Sequence, residues 1–179
     1  MKLVPKPRLI ARLAGNRDGA AAVEFALVMV PLIGIILASL QTAIIFSYDQ
    51  ALQSVGEKSA RQLMTGAAQN ASLTQSQFQS AVCGYASPVF NCSNIMIDVQ
   101  SATSFSAINT SALTPTYNSS GAVTNTWSYS PGNAGDIVIM RLMYNWPVVG
   151  GPLVPGLANQ SNGSRLLVAT SVFKNEPYN

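Results

Sequence analysis

The sequence predicts an α+β fold in which a long N-terminal helix, membrane-spanning and then amphipathic, packs on a small antiparallel sheet. Three observations carry this. Residues from Phe25 to Tyr48 form an uncharged, mostly apolar run. Apolar residues then continue at helical spacing as far as Gly66. Beyond it, three stretches with strand patterning are separated by loops rich in Pro, Gly, Ser and Asn.

Residues 1–18 are basic, contain Pro5 and Pro7, and show no helical period. The run 25–48 makes about 36 Å of helix at ~1.5 Å per residue, enough to cross a ~30 Å hydrocarbon core. Pro31 removes one backbone hydrogen bond within it and is expected to kink or loosen the helix there. Ser39, Gln41 and Thr42 are mildly polar positions suited to bonding across helices. A secretory signal peptide is the main rival, but its apolar segment is only ~7–15 residues and ends in an A-x-A-like site; this run is longer and Gln41-Thr42-Ala43 fits that site poorly. After Asp49, Leu52, Val55, Ala60, Leu63 and Met64 supply an apolar stripe, opposed by Gln53, Glu57, Lys58 and Arg61. That is an amphipathic continuation of the same helix, ending near Gly66.

Residues 67–72 read as a polar break. Thr74 and Gln77 have capping-box spacing, with Leu73 and Phe78 placed as a hydrophobic staple, so a helix is expected from Gln75 to about Tyr85. Ile95, Ile97 and Val99 alternate with Met96, Asp98 and Gln100, predicting a strand over 94–101. Residues 102–135 read as a long Ser/Thr/Asn-rich loop or weak hairpin, with 122–129 as an edge strand. The stretch 136–144 is apolar on both faces apart from Arg141, which places it centrally in the sheet. Residues 147–163, with Pro147, Pro152 and Pro155, read as an irregular apolar loop, and 165–174 as the last strand.

Composition narrows the function. Hydrophobic residues make up 48% of the 179 and charged residues only 9%, against ~25% charged in ordinary soluble domains. This favours membrane insertion or packing into an assembly. Five of the ten Lys and Arg lie before Gly19. From Ala20 onward five bases face six acids, a net charge of −1. With no basic patch beyond the leader, nucleic acid is not an expected partner. Excess Lys and Arg flank membrane helices on the cytoplasmic side, so the N-terminus is expected in the cytoplasm and the C-terminal part outside it. Cys83 and Cys92, an even pair in that outer part, are expected to form a disulfide.

The chain has no histidine. This excludes Ser-His-Asp and Cys-His catalysis and His-ligated zinc, and neither a cofactor nor a metal is expected. An enzyme would have to rely on carboxylates such as Asp98 and Asp136; exposed strand-end carboxylates are the simpler reading. Arg141 has two candidate partners, Asp98 and Glu57, between which the sequence does not choose.

The stretch Gly19-Ala20-Ala21-Ala22-Val23-Glu24-Phe25 places a carboxylate at the threshold of the membrane-length helix. An unpaired carboxylate near hydrocarbon costs on the order of a few kcal/mol, so Glu24 calls for a partner charge or for a place among headgroups. A basic leader, a glycine, four small or apolar residues, a glutamate and an apolar helix resemble the processing site of type IV pilin-like precursors. Together with Ala26-Leu27-Val28, Pro31, Gln50-Ala51-Leu52 and Ser59-Ala60-Arg61, residues 20–61 resemble the TadE-like family, pilin-like proteins of the tight-adherence (Flp) pilus system. The tail from Ala169 to Tyr178 resembles the ending of longer members. The resemblance implies a pilin-like fold divided into a leader at 1–19, a helical segment at 20–66 and an extracytoplasmic α+β domain at 67–179. It implies cleavage between Gly19 and Ala20 by a prepilin peptidase, and a bacterial inner-membrane location with a single span. The implied partners are other pilin-like subunits and the Tad assembly machinery, the chain serving as a minor subunit or assembly protein. The alternative is an uncleaved single-span protein whose outer domain binds a partner.

Overall fold

The computed structural model describes residues 19–149 and 156–178. The leader at 1–18 and the centre of the loop predicted over 147–163 lie outside the described residues.

One helix, α1 (Ala20–Met64), runs unbroken for 45 residues. Pro31 lies inside it without ending it. The Pro ring removes a single N–H, and the helix continues on both sides of it. Ser39, Thr42 and Ser47 each return their hydroxyl to the carbonyl four residues earlier, at 2.8, 2.8 and 2.9 Å. Each hydroxyl proton is thus spent on the helix's own backbone. At the far end, Thr65 and Gly66 donate to the carbonyls of Arg61 and Leu63. Gly66 adopts φ +74°, the left-handed conformation that terminates helices and favours glycine. A Cβ there would land in the ring of Tyr178, so the C-terminal tail seals this corner. The polar break expected after Gly66 instead holds a one-turn helix, α2 (Ala67–Asn70), because Ala68 finds a buried seat.

Helix α3 (Gln75–Ala86) begins with the predicted capping box. Gln77 N–H donates to Thr74 Oγ1 at 3.4 Å and Thr74 N–H to Gln77 Oε1 at 2.9 Å. Phe78 and Val82 are fully buried on its inner face, and Leu73 packs against the same core.

The sheet has three strands in the order β1-β2-β3: β1 (Ile95–Ala102), β2 (Ile137–Pro147) and β3 (Ser164–Lys174). Both pairings are antiparallel. The central place of β2 was legible in its doubly apolar pattern. Residues 122–129 do not form the expected edge strand. Tyr129 makes a single parallel bridge to Val99, and Val123 a single antiparallel bridge to Tyr117. Thr, Ser and Asn side chains there bond to the loop's own backbone instead, as Asn118 Oδ1 does with the amides of Ser120 and Ala122. This competition is what keeps such residues out of strands.

One sheet face carries Ile97, Val99, Met140, Leu142 and Ala169 against α1 and α3. The contact with α1 is close: a Cβ on Gly56 would lie 3.2 Å from that of Ala169. The strand β3 rises beside α1 in the same direction, since Gln53 donates to the Val168 carbonyl at 3.2 Å and Glu176 N–H to the Met64 carbonyl at 2.8 Å. Among the described residues, β3 has no neighbour on its outer edge.

Candidate processing and assembly site

Gly19 precedes the first residue of α1 with φ −88° and ψ −11° and no side-chain cap. Among the described residues, a Cβ on Gly19 would meet nothing within 4 Å. Neither backbone conformation nor close packing therefore requires glycine at this position. Ala20 and Glu24 follow at positions one turn apart, on the same face of α1. Gly19, Ala20 and Glu24 are all exposed. Among the described residues the ion pair present is that of Arg141 with Asp98, and Glu24 has no such partner.

The first half of α1 stands clear of the domain. Its most apolar stretch has a mean hydropathy of 2.4 and none of it is buried. Phe25, Leu27, Val28, Ile35 and Leu40 are between 57% and 71% exposed. This is a membrane-length apolar rod with a single carboxylate near its base. Burial begins at Ile45 and recurs on one face from Leu52 to Leu63.

The part of the chain packed on the second half of α1 is fastened by two further devices. Cys83, in the last turn of α3, is disulfide-bonded to Cys92, in the short turn leading into β1, with Cα atoms 5.5 Å apart. The pairing expected from the sequence is therefore present. The second device is ionic. Asp98 and Arg141 stand directly opposite each other on β1 and β2, 2% and 4% exposed, with Nη1 3.2 Å from Oδ2. The same carboxylate accepts from Gln100 Nε2 at 2.9 Å and from the Ser128 amide at 3.1 Å. Arg141 Nη2 donates to the Asn109 carbonyl. The choice left open between Asp98 and Glu57 is settled by register. The Asn109 and Ser128 contacts were not foreseeable, because they come from a loop without periodic pattern.

Asp98 and Asp136 are not brought together. Asp98 is paired with Arg141, five residues from Asp136, which immediately precedes β2, an offset of about 17 Å at ~3.3 Å per residue; Asp136 accepts instead from the Asn133 amide at 2.8 Å. Asn175, fully buried just after β3, was also missed. Its Nδ2 donates to the carbonyls of Pro131 and Asn133 at 2.9 and 3.0 Å, tying the tail to the far end of the loop.

Among curated proteins and among solved structures nothing matches the chain significantly. The stretch from Gly19 to Arg61, which holds the membrane-length helix and the start of its packed half, matches the model of the TadE-like protein family.

Proposed function

We propose that this chain is a pilin-like minor subunit or assembly protein of a tight-adherence (Flp) pilus, cut by a prepilin peptidase between Gly19 and Ala20. The observation that carries the reading is the family match beginning at Gly19, with Glu24 five residues on and an exposed apolar helix beyond it. The free space around Gly19 supports it: a glycine that the fold does not require fits a position read by a peptidase. On this reading residues 1–19 are the leader, 20–66 the helical segment and 67–179 the extracytoplasmic domain.

The physical sequence is as follows. The precursor sits in the inner membrane with its basic leader in the cytoplasm. Cleavage removes most of that positive anchor and creates an ammonium at Ala20. In an assembled bundle, Glu24 of one subunit pairs with the Ala20 ammonium of a neighbour. Either charge buried alone costs several kcal/mol, so the pair favours and registers the packed state.

The test is intact-mass and N-terminal analysis of the protein from bacterial membranes with and without the peptidase. A chain beginning at Ala20 only when the peptidase is present supports the proposal. A chain beginning at Met1 in both cases refutes it and leaves a permanent single-span anchor. Glu24→Gln then separates the two roles: processing and the outer domain stay intact while incorporation into the assembly is lost.

A further inference from the structure

We infer that the outer domain does not stand above the bilayer but is seated in it. The end of β2 at Pro147, with Val148 and Val149 just after it, dips beside α1 into the acyl region of the outer leaflet. The partner is the lipid itself. The inference rests on α1 crossing a membrane.

The geometry comes from a single contact and a length. The Val149 amide donates to Gln41 Oε1 at 3.3 Å, so the chain leaving β2 lies at the level of Gln41. The uncharged run of α1 extends from Phe25 to Tyr48. Centred on it, a ~30 Å hydrocarbon core covers about twenty residues, Leu27 to Phe46. Gln41 is five residues below Phe46, about 8 Å inside the core edge. Elements that lie in a bilayer interface characteristically reach ~5–10 Å below it.

The chemistry at this level fits lipid. Val149 is 70% exposed and Phe46 66%. No charged residue occurs between Arg141 and Arg165. Irregular backbone at membrane depth needs its polar groups satisfied, and the Gln41 side chain supplies the acceptor for the Val149 amide. Just above, Tyr48 and Trp146 pack with ring centroids 3.9 Å apart, and Phe90 meets Tyr48 edge-on at 5.6 Å. Aromatic residues with polar tips collect at the headgroup level of membrane proteins.

The alternative placement is self-defeating. Lifting Val149 clear of the hydrocarbon shifts α1 by about five residues, so that the core covers roughly 22–41. Ile44 and Phe46 then stand in water, and Glu24 enters the hydrocarbon before any partner ammonium has been made, which is costly. Seating the domain keeps Glu24 at the cytoplasmic headgroups and the apolar residues of both elements in lipid.

The test uses the full-length chain in phosphatidylethanolamine–phosphatidylglycerol vesicles at high lipid-to-protein ratio. A nitroxide is placed at Val149→Cys, and in separate samples at Ile36→Cys and Val168→Cys; the native cysteines are held in their disulfide. All three side chains are exposed, so labelling disturbs no packing. Collision with oxygen and with a water-soluble nickel chelate reports depth. The expected result is a Val149 label about 8 Å inside the hydrocarbon edge, shielded from the chelate like the Ile36 label, while the Val168 label meets it freely. A Val149 label open to the chelate, with Ile36 still in lipid, overturns the inference and leaves the span intact. A Val149 label shielded from both reagents means a neighbouring copy rather than lipid, and also overturns it. An Ile36 label open to the chelate overturns the span and this inference together.

Discussion

Removing both partners of the Asp98–Arg141 pair is expected to cost the sheet domain no more than removing one. Arg141→Met leaves the Asp98 carboxylate buried with two neutral donors, Gln100 Nε2 and the Ser128 amide. Those donors hold the loss to about 3 kcal/mol, the low end for breaking a buried pair. Asp98→Asn leaves a buried guanidinium with the Asn109 carbonyl and at most one amide oxygen, so about 4 kcal/mol is expected. The double variant buries no charge. It is expected to lose about 3 kcal/mol rather than the sum of about 7, a coupling of about 4 kcal/mol, within the range measured for close charge pairs. The assay is urea unfolding of the full-length protein in detergent micelles, followed by the near-ultraviolet dichroism of Trp127 and Trp146. Single variants each costing under about 1 kcal/mol, or a double variant equal to the sum of the singles, would refute the reasoning.

Three further outcomes are expected. Replacing Cys83 and Cys92 together with serine opens a loop spanning nine positions and costs about 2–3 kcal/mol by chain entropy, read as a lower urea midpoint that matches the wild type under reductant. Gly66→Ala forces a side chain into a left-handed position and into the Tyr178 ring, costing about 2–4 kcal/mol; Tyr178→Ala added to it restores part of the loss. Burial raises the Tyr129 hydroxyl above its ordinary value of 10. The folded state therefore keeps its proton where the unfolded state has lost it: stability is full below pH 10 and falls as pH rises through the folded value. Tyr129→Phe removes that alkaline loss, and because the hydroxyl is buried without a partner the variant is neutral or slightly more stable at pH 7.

The elements that rest on periodicity were legible. Helix α1, the capping box of α3 and all three strands fall within one to three residues of the positions read from sequence, because each buries one repeating face or, in β2, both. The disulfide followed from parity and compartment. The loop 103–136 was legible only as a loop. Its structure comes from Asn118, Asn109 and Ser128 meeting particular carbonyls, amides and one arginine, contacts that leave no period. Glu24 and Gly19 stood out in the sequence through their setting, and the fold adds that nothing in the described chain requires glycine at position 19. The Gln41–Val149 contact, which joins residues 108 apart, had no local signal: a glutamine in an apolar run marks only that it needs a partner.

The open outer edge of β3 has a consequence for copies crowded in one membrane. Exposed strand edges are templates for joining chains together, and antiparallel joining is the slightly more stable form. Since β3 climbs beside α1 in the same direction, two copies whose helices enter the bilayer with the same polarity carry their free edges pointing the same way. An antiparallel junction between them would require one copy to be upside down. Insertion polarity thus withholds the strongest self-pairing of a bare edge while leaving that edge open, and the protection ends when the chain leaves the bilayer.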